Sequence, residues 1–98
     1  MTRADIANKI ALATGLSKVE TETVVEGFII CVIDALKNSE TIEIRGFGTF
    51  KVKERKPRTA RNPKSGEKVE LGKRYVPIFK VSKEFKKTVN DSLIRHRR

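Results

Sequence analysis

The residues that could carry covalent chemistry are few in this sequence. Its 98 residues include one histidine, His96, in the basic C-terminal sequence RHRR, and one cysteine, Cys31, in the apolar run FIICVI. Nucleophilic catalysis, a zinc site and nucleotide hydrolysis each need a combination of groups that this sequence lacks: a nucleophile beside a base, clustered His and Cys ligands, or a glycine-rich phosphate loop. We therefore expect no enzyme, no metal site and no cofactor, and we expect Cys31 to be a buried, reduced thiol.

The distribution of charge indicates a different chemistry, the non-covalent binding of a polyanion. The chain has 22 Lys and Arg against 12 Asp and Glu, a net charge of +10. Residues 1–50 carry a net charge of −2, whereas residues 51–80 carry +8 and residues 81–98 carry +4. Such segregation creates one strongly basic surface. Nucleic acid is the first candidate partner and an anionic membrane surface the second.

The apolar segments do not favour a membrane partner. No stretch approaches the roughly 20 apolar residues of a spanning helix. No signal peptide is visible in MTRADIANKI. We expect a cytoplasmic protein that binds neither a membrane nor a small-molecule substrate.

The most basic segment contains a turn at ARNPKSGE, residues 60–67. Asn62-Pro63 and Ser65-Gly66 are adjacent turn signals, and Lys- and Arg-rich sequences flank them on both sides. Between Lys53 and Lys68 the sequence has no alternating apolar residues with which to build a core. We expect this segment to project as two extended strands joined at the turn, and to be mobile in the unbound protein.

The N-terminal half predicts two helices that could position such an arm. Thr2 and Asp5 have the spacing of a capping box, and Gly15 is a suitable C-terminal stop. Ser17 and Glu20 repeat the box before a wide apolar stripe that runs from Val24 to Leu36. A helix apolar on most of its sides needs cover from more than one direction. Either a partner subunit or a well-packed monomer core could supply that cover.

The remaining sequence predicts an antiparallel sheet and a last helix. Ile42 and Ile44 alternate with polar residues, and after Gly46-Phe47-Gly48 the alternation resumes with a basic set on one face of the strand. The fold class is therefore α+β, in a single domain. Its parts are a helical body (1–40), a three-stranded antiparallel sheet (41–53 and 74–81), a long extended arm (54–73), a C-terminal helix (82–94) and a basic tail (95–98).

Three sequence segments identify a family. At IEIRGFGTF (42–50), PRTARNPKSGE (57–67) and VELGKRYVPIFK (69–80), the sequence resembles the HU and integration host factor family of bacterial DNA-bending proteins. It departs from the family at Val81, where a proline is common. The resemblance implies an intertwined dimer whose two β-arms reach around double-stranded DNA into the minor groove. It implies a dimer core of Phe28, Ile29, Val32, Phe47, Phe50 and Phe79.

The resemblance also implies a division of roles among the basic residues. Pro63 intercalates between base pairs, where a rigid apolar ring without an N–H leaves no donor unsatisfied; the alternative is a plain turn former. The arm residues that meet the minor groove are Arg58, Arg61, Asn62 and Lys64. The residues expected to contact phosphate are Arg3, Gly46, Gly48, Lys51, Lys53, Arg55, Lys56, Lys68, Lys73, Arg74, Lys83 and Lys86.

The β subunit of integration host factor is the branch that IEIRGF resembles. There, the arginine matching Arg45 enters the minor groove and the glutamate matching Glu43 orients it. HU binds with little sequence preference, whereas integration host factor reads specific sites. Base readout is therefore expected only if the chain resembles integration host factor in function. The resemblance leaves open whether the second subunit is identical or a related chain, although we expect a homodimer.

The resulting hypothesis is an architectural protein of the nucleoid that bends DNA and helps to assemble recombination, replication or transcription complexes. One alternative is a basic RNA-binding or ribosome-associated protein. It should favour aromatic platforms, and residues 51–74 contain no aromatic side chain. The other alternative is a structural oligomerisation module whose basic arm only keeps it soluble.

Overall fold

The computed structural model describes residues 1–96, which form three helices and five strands in two compact units. The first unit, residues 1–38, contains α1 (Arg3–Thr14) and α2 (Lys18–Lys37). The second unit begins at Ser39. In chain order it contains β1 (Ile42–Ile44), β2 (Gly48–Arg55), β3 (Arg58–Arg61), β4 (Lys68–Leu71), β5 (Arg74–Val81) and α3 (Lys83–His96).

Helix α1 begins and ends where the sequence predicts. The Thr2 backbone N–H donates to Asp5 Oδ2 over 2.8 Å, and the Asp5 N–H donates to Thr2 Oγ1 over 3.3 Å, which completes the capping box. The Thr2 backbone N–H, and to a lesser extent the Thr2 side chain, hold the pKa of the Asp5 carboxyl below its ordinary value by hydrogen bonding. Gly15 ends the helix in the left-handed region, and its N–H donates to the Ala11 carbonyl.

Small side chains join α1 to α2. Ala7, Ala11 and Thr21 are buried in this helical hairpin. The hydroxyl of Thr21 donates to the Ser17 carbonyl over 2.8 Å, so its burial leaves no unsatisfied donor. Ser17 caps α2 as predicted, because its Oγ accepts from the Glu20 N–H over 3.1 Å.

Most of the apolar stripe of α2 remains exposed in the single chain. Phe28 is 47% exposed and Ile33 is 53% exposed, and Ile29 and Ile30 are exposed as well. Cys31 is also exposed, so the expectation of a buried thiol is wrong for this chain by itself. An apolar surface of this kind marks an interaction site, and α1 covers only part of it.

The central sheet is antiparallel with the order β1-β2-β5. Its register pairs Ile42 with Phe50 between β1 and β2, and Phe50 with Phe79 between β2 and β5. The turn between β1 and β2 closes through a hydrogen bond of 3.0 Å from the Phe47 N–H to the Ile44 carbonyl. The three-stranded antiparallel sheet is thus confirmed.

A cluster of phenylalanine rings attaches α3 to this sheet. The Phe79 ring centroid lies 4.5 Å from that of Phe50 and 4.9 Å from that of Phe47, and Phe85 of α3 lies 5.5 Å from Phe47. Ser82 fixes the start of α3: its N–H donates to the Phe47 carbonyl and its Oγ accepts from the Phe85 N–H. Val81 ends β5 directly before this cap, opposite Gly48.

The arm is a separate two-stranded antiparallel sheet, β3-β4. The ladder between β2 and β5 continues through Glu54 and Arg55, which places the arm at residues 56–73 rather than 54–73. Sequence alternation misses these two residues because both are charged. At the other end, α3 includes Arg95 and His96, which were expected in an unstructured tail; cations are favoured in the last turn of a helix. The rest of that tail, residues 97 and 98, lies outside the described residues.

Candidate nucleic-acid interface

The central sheet has two chemically different faces. Alternate residues of a strand point to opposite faces, so Phe50 and Phe79 share one face and Lys51 and Lys53 share the other. The second face we call the basic face. It comprises Thr49, Lys51, Lys53 and Arg55 from β2 and Arg74, Val76, Ile78 and Lys80 from β5. The predicted basic stripe of β2 is therefore extended by two cations of β5.

Two arginines lie directly opposite each other where the basic face meets the arm. Arg55 and Arg74 are partners in the register of β2 and β5. Like charges in opposite positions destabilise a sheet. The Nη1 atom of Arg74 is buried, and no hydrogen-bond partner for it occurs among residues 1–96. A phosphate lying over the basic face could reduce the repulsion between the two guanidinium groups, since guanidinium groups bind phosphate well.

The arm repeats this arrangement nearer its tip. Arg61 of β3 lies opposite Lys68 of β4, and both share one face with Thr59 and Glu70. These side chains, together with Ala60, line an open groove of about 690 Å³. Arg58 lies on the other face of the arm, opposite Leu71. Each end of the arm therefore carries a pair of opposed cations.

Hydrogen bonds between nearby residues form the turn at the tip of the arm. The Asn62 N–H donates to the Glu67 carbonyl, and the Gly66 N–H donates to the Asn62 carbonyl, both over 2.8 Å. The Lys64 N–H donates to Asn62 Oδ1 over 2.9 Å. Gly66 has a φ of +73°, which glycine adopts without steric cost. Pro63 lies at the start of this turn and is exposed.

A shallow cavity of about 380 Å³ brings together predicted residues of three elements. Glu43 of β1, Arg45 and Gly46 of the following turn, Gly48 of β2 and Lys83 of α3 all line it. The cavity includes the N-terminal turn of α3, whose backbone dipole favours an anion. Lys86, also predicted, is exposed on the same helix.

Two predicted cations lie elsewhere. Arg3, in the helical hairpin, lines a small cavity of about 170 Å³ with Glu22 and Glu26. Lys56 is exposed in the unpaired segment between β2 and β3.

Lys73 has a carboxylate partner. Its Nζ lies 3.0 Å from Glu54 Oε1 and 5.6 Å from the centroid of the Tyr75 ring. The hydrogen bond with Glu54 raises the pKa of Lys73 above its ordinary value, and Tyr75 adds to the effect.

Sequence reasoning missed some members of these groups. Lys80 and Glu84 line the cavity beside Arg45 and Lys83. Lys80 could have been found by continuing the alternation of β5 outward from Arg74, since both lie on the basic face. The partnership of Glu54 with Lys73 could not, because it depends on the register of two distant strands.

The fold and the candidate site together are typical of a protein that binds a polyanion through a basic sheet face and a basic β-arm. Among residues 1–96, no group of three or more His, Cys, Asp or Glu side chains is placed to hold a metal ion. Across the same residues, no helix is both long and apolar enough to cross a membrane.

Comparisons with known proteins identify the family. The sequence profile described as "Bacterial DNA-binding protein" matches residues 1–90. Integration host factor subunit beta of Vibrio atlanticus is 43% identical over 94 residues, covering 95% of this chain and 100% of that protein. The chain therefore belongs to the bacterial DNA-binding family of HU and integration host factor, whose members are not enzymes.

Solved structures agree on the fold. The Anabaena HU–DNA cocrystal structure superimposes with a TM-score of 0.86 at 30% identity, covering 91% of this chain and 97% of that one. A mutant HU from Thermotoga maritima gives a TM-score of 0.68 at 24% identity, covering 91% and 99%, which shows the fold alone. The predicted α+β fold and family are both confirmed.

Proposed function

We propose that this protein is an architectural component of the bacterial nucleoid, in the cytoplasm, which binds and bends double-stranded DNA as a dimer. The single observation that carries the proposal is the placement of two opposed cation pairs, Arg55 with Arg74 and Arg61 with Lys68, at the two ends of the arm. Each pair opposes strand pairing unless an anion lies over it. Phosphates at regular spacing along a duplex would neutralise both pairs.

The bending step depends on the tip. Pro63 enters the minor groove and separates two stacked base pairs, at a cost of a few kcal/mol per step. Contacts between phosphates and the basic face, which only bent DNA can reach, offset that cost. Arg58, Arg61, Asn62 and Lys64 follow the proline into the groove. The hydrogen bonds between Asn62, Lys64 and Gly66 support this role because they form the turn that carries Pro63 at the end of the arm.

The dimer is supported by the exposed apolar surface of α2, which includes the predicted core residues Phe28 and Ile29. Phe47 and Phe79 are also more than one-third exposed in the single chain. A second subunit packed on these surfaces would bury them. The molar mass of the protein purified alone distinguishes a homodimer, which we expect, from a chain that needs a related second subunit.

Site-specific readout is the finer part of the proposal. In this part of the proposal, the Glu43 carboxylate orients the Arg45 guanidinium toward a base edge in the minor groove; both residues line one cavity. The similarity to integration host factor subunit beta supports the specific branch. Competition between a defined site and random DNA at about 150 mM salt separates specific from nonspecific binding, because salt weakens the shared phosphate contacts.

Energy transfer between the labelled ends of a duplex of roughly 35 base pairs tests the bending step, since such a duplex is short compared with the persistence length of DNA. The wild-type protein should shorten the end-to-end distance. Pro63→Ala should reduce this shortening at saturation more than it reduces affinity. The matched control is Lys56→Ala, which removes an exposed cation away from the tip and should keep the bend and lower the salt slope by about one.

Two results would contradict the proposal. Wild-type protein that binds the duplex without shortening it would exclude bending and favour a different nucleic-acid role. A Pro63→Ala variant that bends DNA as fully as wild type would exclude the proline as the intercalating group and leave it as a turn former.

A further inference from the structure

The joint between the central sheet and the arm is the feature from which a further role can be inferred. Strand pairing stops at Arg55 and Arg74 and resumes at Arg58 and Leu71. The unpaired residues between the two ladders are 56–57 on the outgoing limb and 72–73 on the returning limb. This joint determines how firmly the arm is carried by the sheet.

The last two rows of the β2–β5 ladder have opposite electrostatics. In the last row, Arg55 faces Arg74 on the basic face, and the two charges repel. In the row before it, Glu54 is paired with Tyr75, and both side chains lie on the side of the sheet opposite the basic face. The Lys73 ammonium lies on that other face, bonded to Glu54 and 5.6 Å from the centre of the Tyr75 ring. The attraction between Glu54 and Lys73 on one face thus lies one row away from the repulsion between Arg55 and Arg74 on the basic face.

We propose that Lys73 is a positioning residue that holds the base of the arm through Glu54 and Tyr75, rather than a residue that contacts phosphate. The proposal rests on the proposed DNA-binding function and changes the role first expected for Lys73. Its ammonium lies on the face opposite Arg55 and Arg74, which would meet the phosphates. Its bridge to Glu54 offsets the repulsion between those arginines at the point where the ladder ends. We call Glu54, Lys73 and Tyr75 the clasp.

Charge variants of the clasp distinguish the two roles. The variants are Glu54→Gln, Lys73→Gln, both together, and the exchange Glu54→Lys with Lys73→Glu, which keeps net charge and restores the pair. For each, the Kd for a duplex is measured as a function of salt, and the end-to-end distance is measured at saturation. Arg55→Gln is the matched control because it removes a cation of the basic face one residue away. Circular dichroism confirms that each variant is folded.

If Lys73 positions the arm, Glu54→Gln and Lys73→Gln should each weaken binding by about two- to fivefold, the range typical of an exposed ion pair. The double variant should be no weaker than either single variant, and the exchanged pair should recover wild-type binding and bending. The salt slope should stay unchanged in all of them. Arg55→Gln should lower the slope by about one.

The opposite pattern would overturn the inference. If Lys73→Gln lowers the salt slope by about one and Glu54→Gln tightens binding, then Lys73 contacts phosphate and Glu54 merely competes for it. A charge exchange that fails to restore binding, although each variant is folded, would also exclude the clasp. Wild-type protein that does not bind the duplex would overturn both proposals, whereas the slope result overturns this one alone.

Discussion

The two sheets of this protein have the same hydrogen-bonding scheme but different support. Both are antiparallel, with paired residues in an uninterrupted register. The central sheet packs Phe47, Phe50 and Phe79 on one face and attaches α3 through Phe85. The face of the arm that carries Ala60, Val69 and Leu71 has no aromatic ring and also carries Arg58, and Val69 is 42% exposed. The central sheet is thus stabilised by aromatic packing and backbone hydrogen bonds together, and the arm mainly by backbone hydrogen bonds.

This difference indicates which interaction must supply the free energy that orders the arm. An isolated pair of strands is marginally stable in water. The arm also carries the opposed cations Arg61 and Lys68, which lower its stability further. A partner that neutralises these charges would supply what packing supplies in the central sheet. Under the proposed function, the arm is therefore less stable than the central sheet in the free protein and is stabilised when a polyanion binds.

The largest expected difference in unfolding free energy is between two variants, each of which removes one apolar side chain from one of the two sheets. Phe50→Ala should lower the free energy of unfolding by about 3 kcal/mol, because it removes a ring whose centroid lies 4.5 Å from that of Phe79. Val69→Ala in the arm should change it by less than about 0.5 kcal/mol. Urea denaturation at a fixed protein concentration measures both. Equal losses would show that the arm belongs to the same packed core.

A smaller effect comes from adding one methyl group to each region. At Gly48, a Cβ would lie 2.6 Å from the Phe79 ring and would also meet the Lys80 carbonyl oxygen, whose backbone cannot shift without disturbing the ladder. Gly48→Ala should cost about 2 kcal/mol in unfolding free energy. Gly72→Ala, at the arm joint, meets no atom within 4 Å and should be nearly neutral. A neutral Gly48→Ala would mean that β2 and β5 are packed less closely than described.

The smallest effect on unfolding is expected at the arm tip. Gly66→Ala introduces steric strain of about 1 kcal/mol because of the positive φ. Since the tip does not contribute to the packed core, global unfolding should be unchanged, and the strain should weaken DNA binding by about fivefold. Thermal unfolding and a duplex titration of the same sample provide the two measurements. A lower melting temperature with unchanged DNA binding would show that the tip contributes to the stability of the fold and not to binding.

Much of this fold follows from local sequence signals. Thr2 with Asp5, Gly15 and Ser17 mark helix ends by hydrogen bonds within three or four residues, and the structure has the helix ends there. The change to a period of two after Ser39 locates the strands. Because these signals act over short distances, one sequence is enough to read them. The charge distribution and the turn at residues 60–67 then predict the basic arm, and the family resemblance adds the bending of double-stranded DNA.

Other features depend on which residues meet across strands, and the sequence does not contain that register explicitly. The opposition of Arg55 with Arg74 and the bridge from Glu54 to Lys73 both depend on the pairing of β2 with β5. The family resemblance groups Lys73 with Arg74 as expected phosphate contacts, and nothing in the sequence indicates that Glu54 pairs with Lys73. The exposure of Cys31 was missed for a related reason: an apolar run does not reveal which of its sides the same chain covers.

Hydrogen exchange tests the central claim most directly, because it reports the stability of each sheet separately. In the free protein, amides of β3 and β4 should exchange at least about 100-fold faster than those in the middle of β2 and β5, and DNA should slow the arm selectively. Arm amides that are as protected as the central sheet without DNA, or that DNA leaves unchanged, would contradict the account.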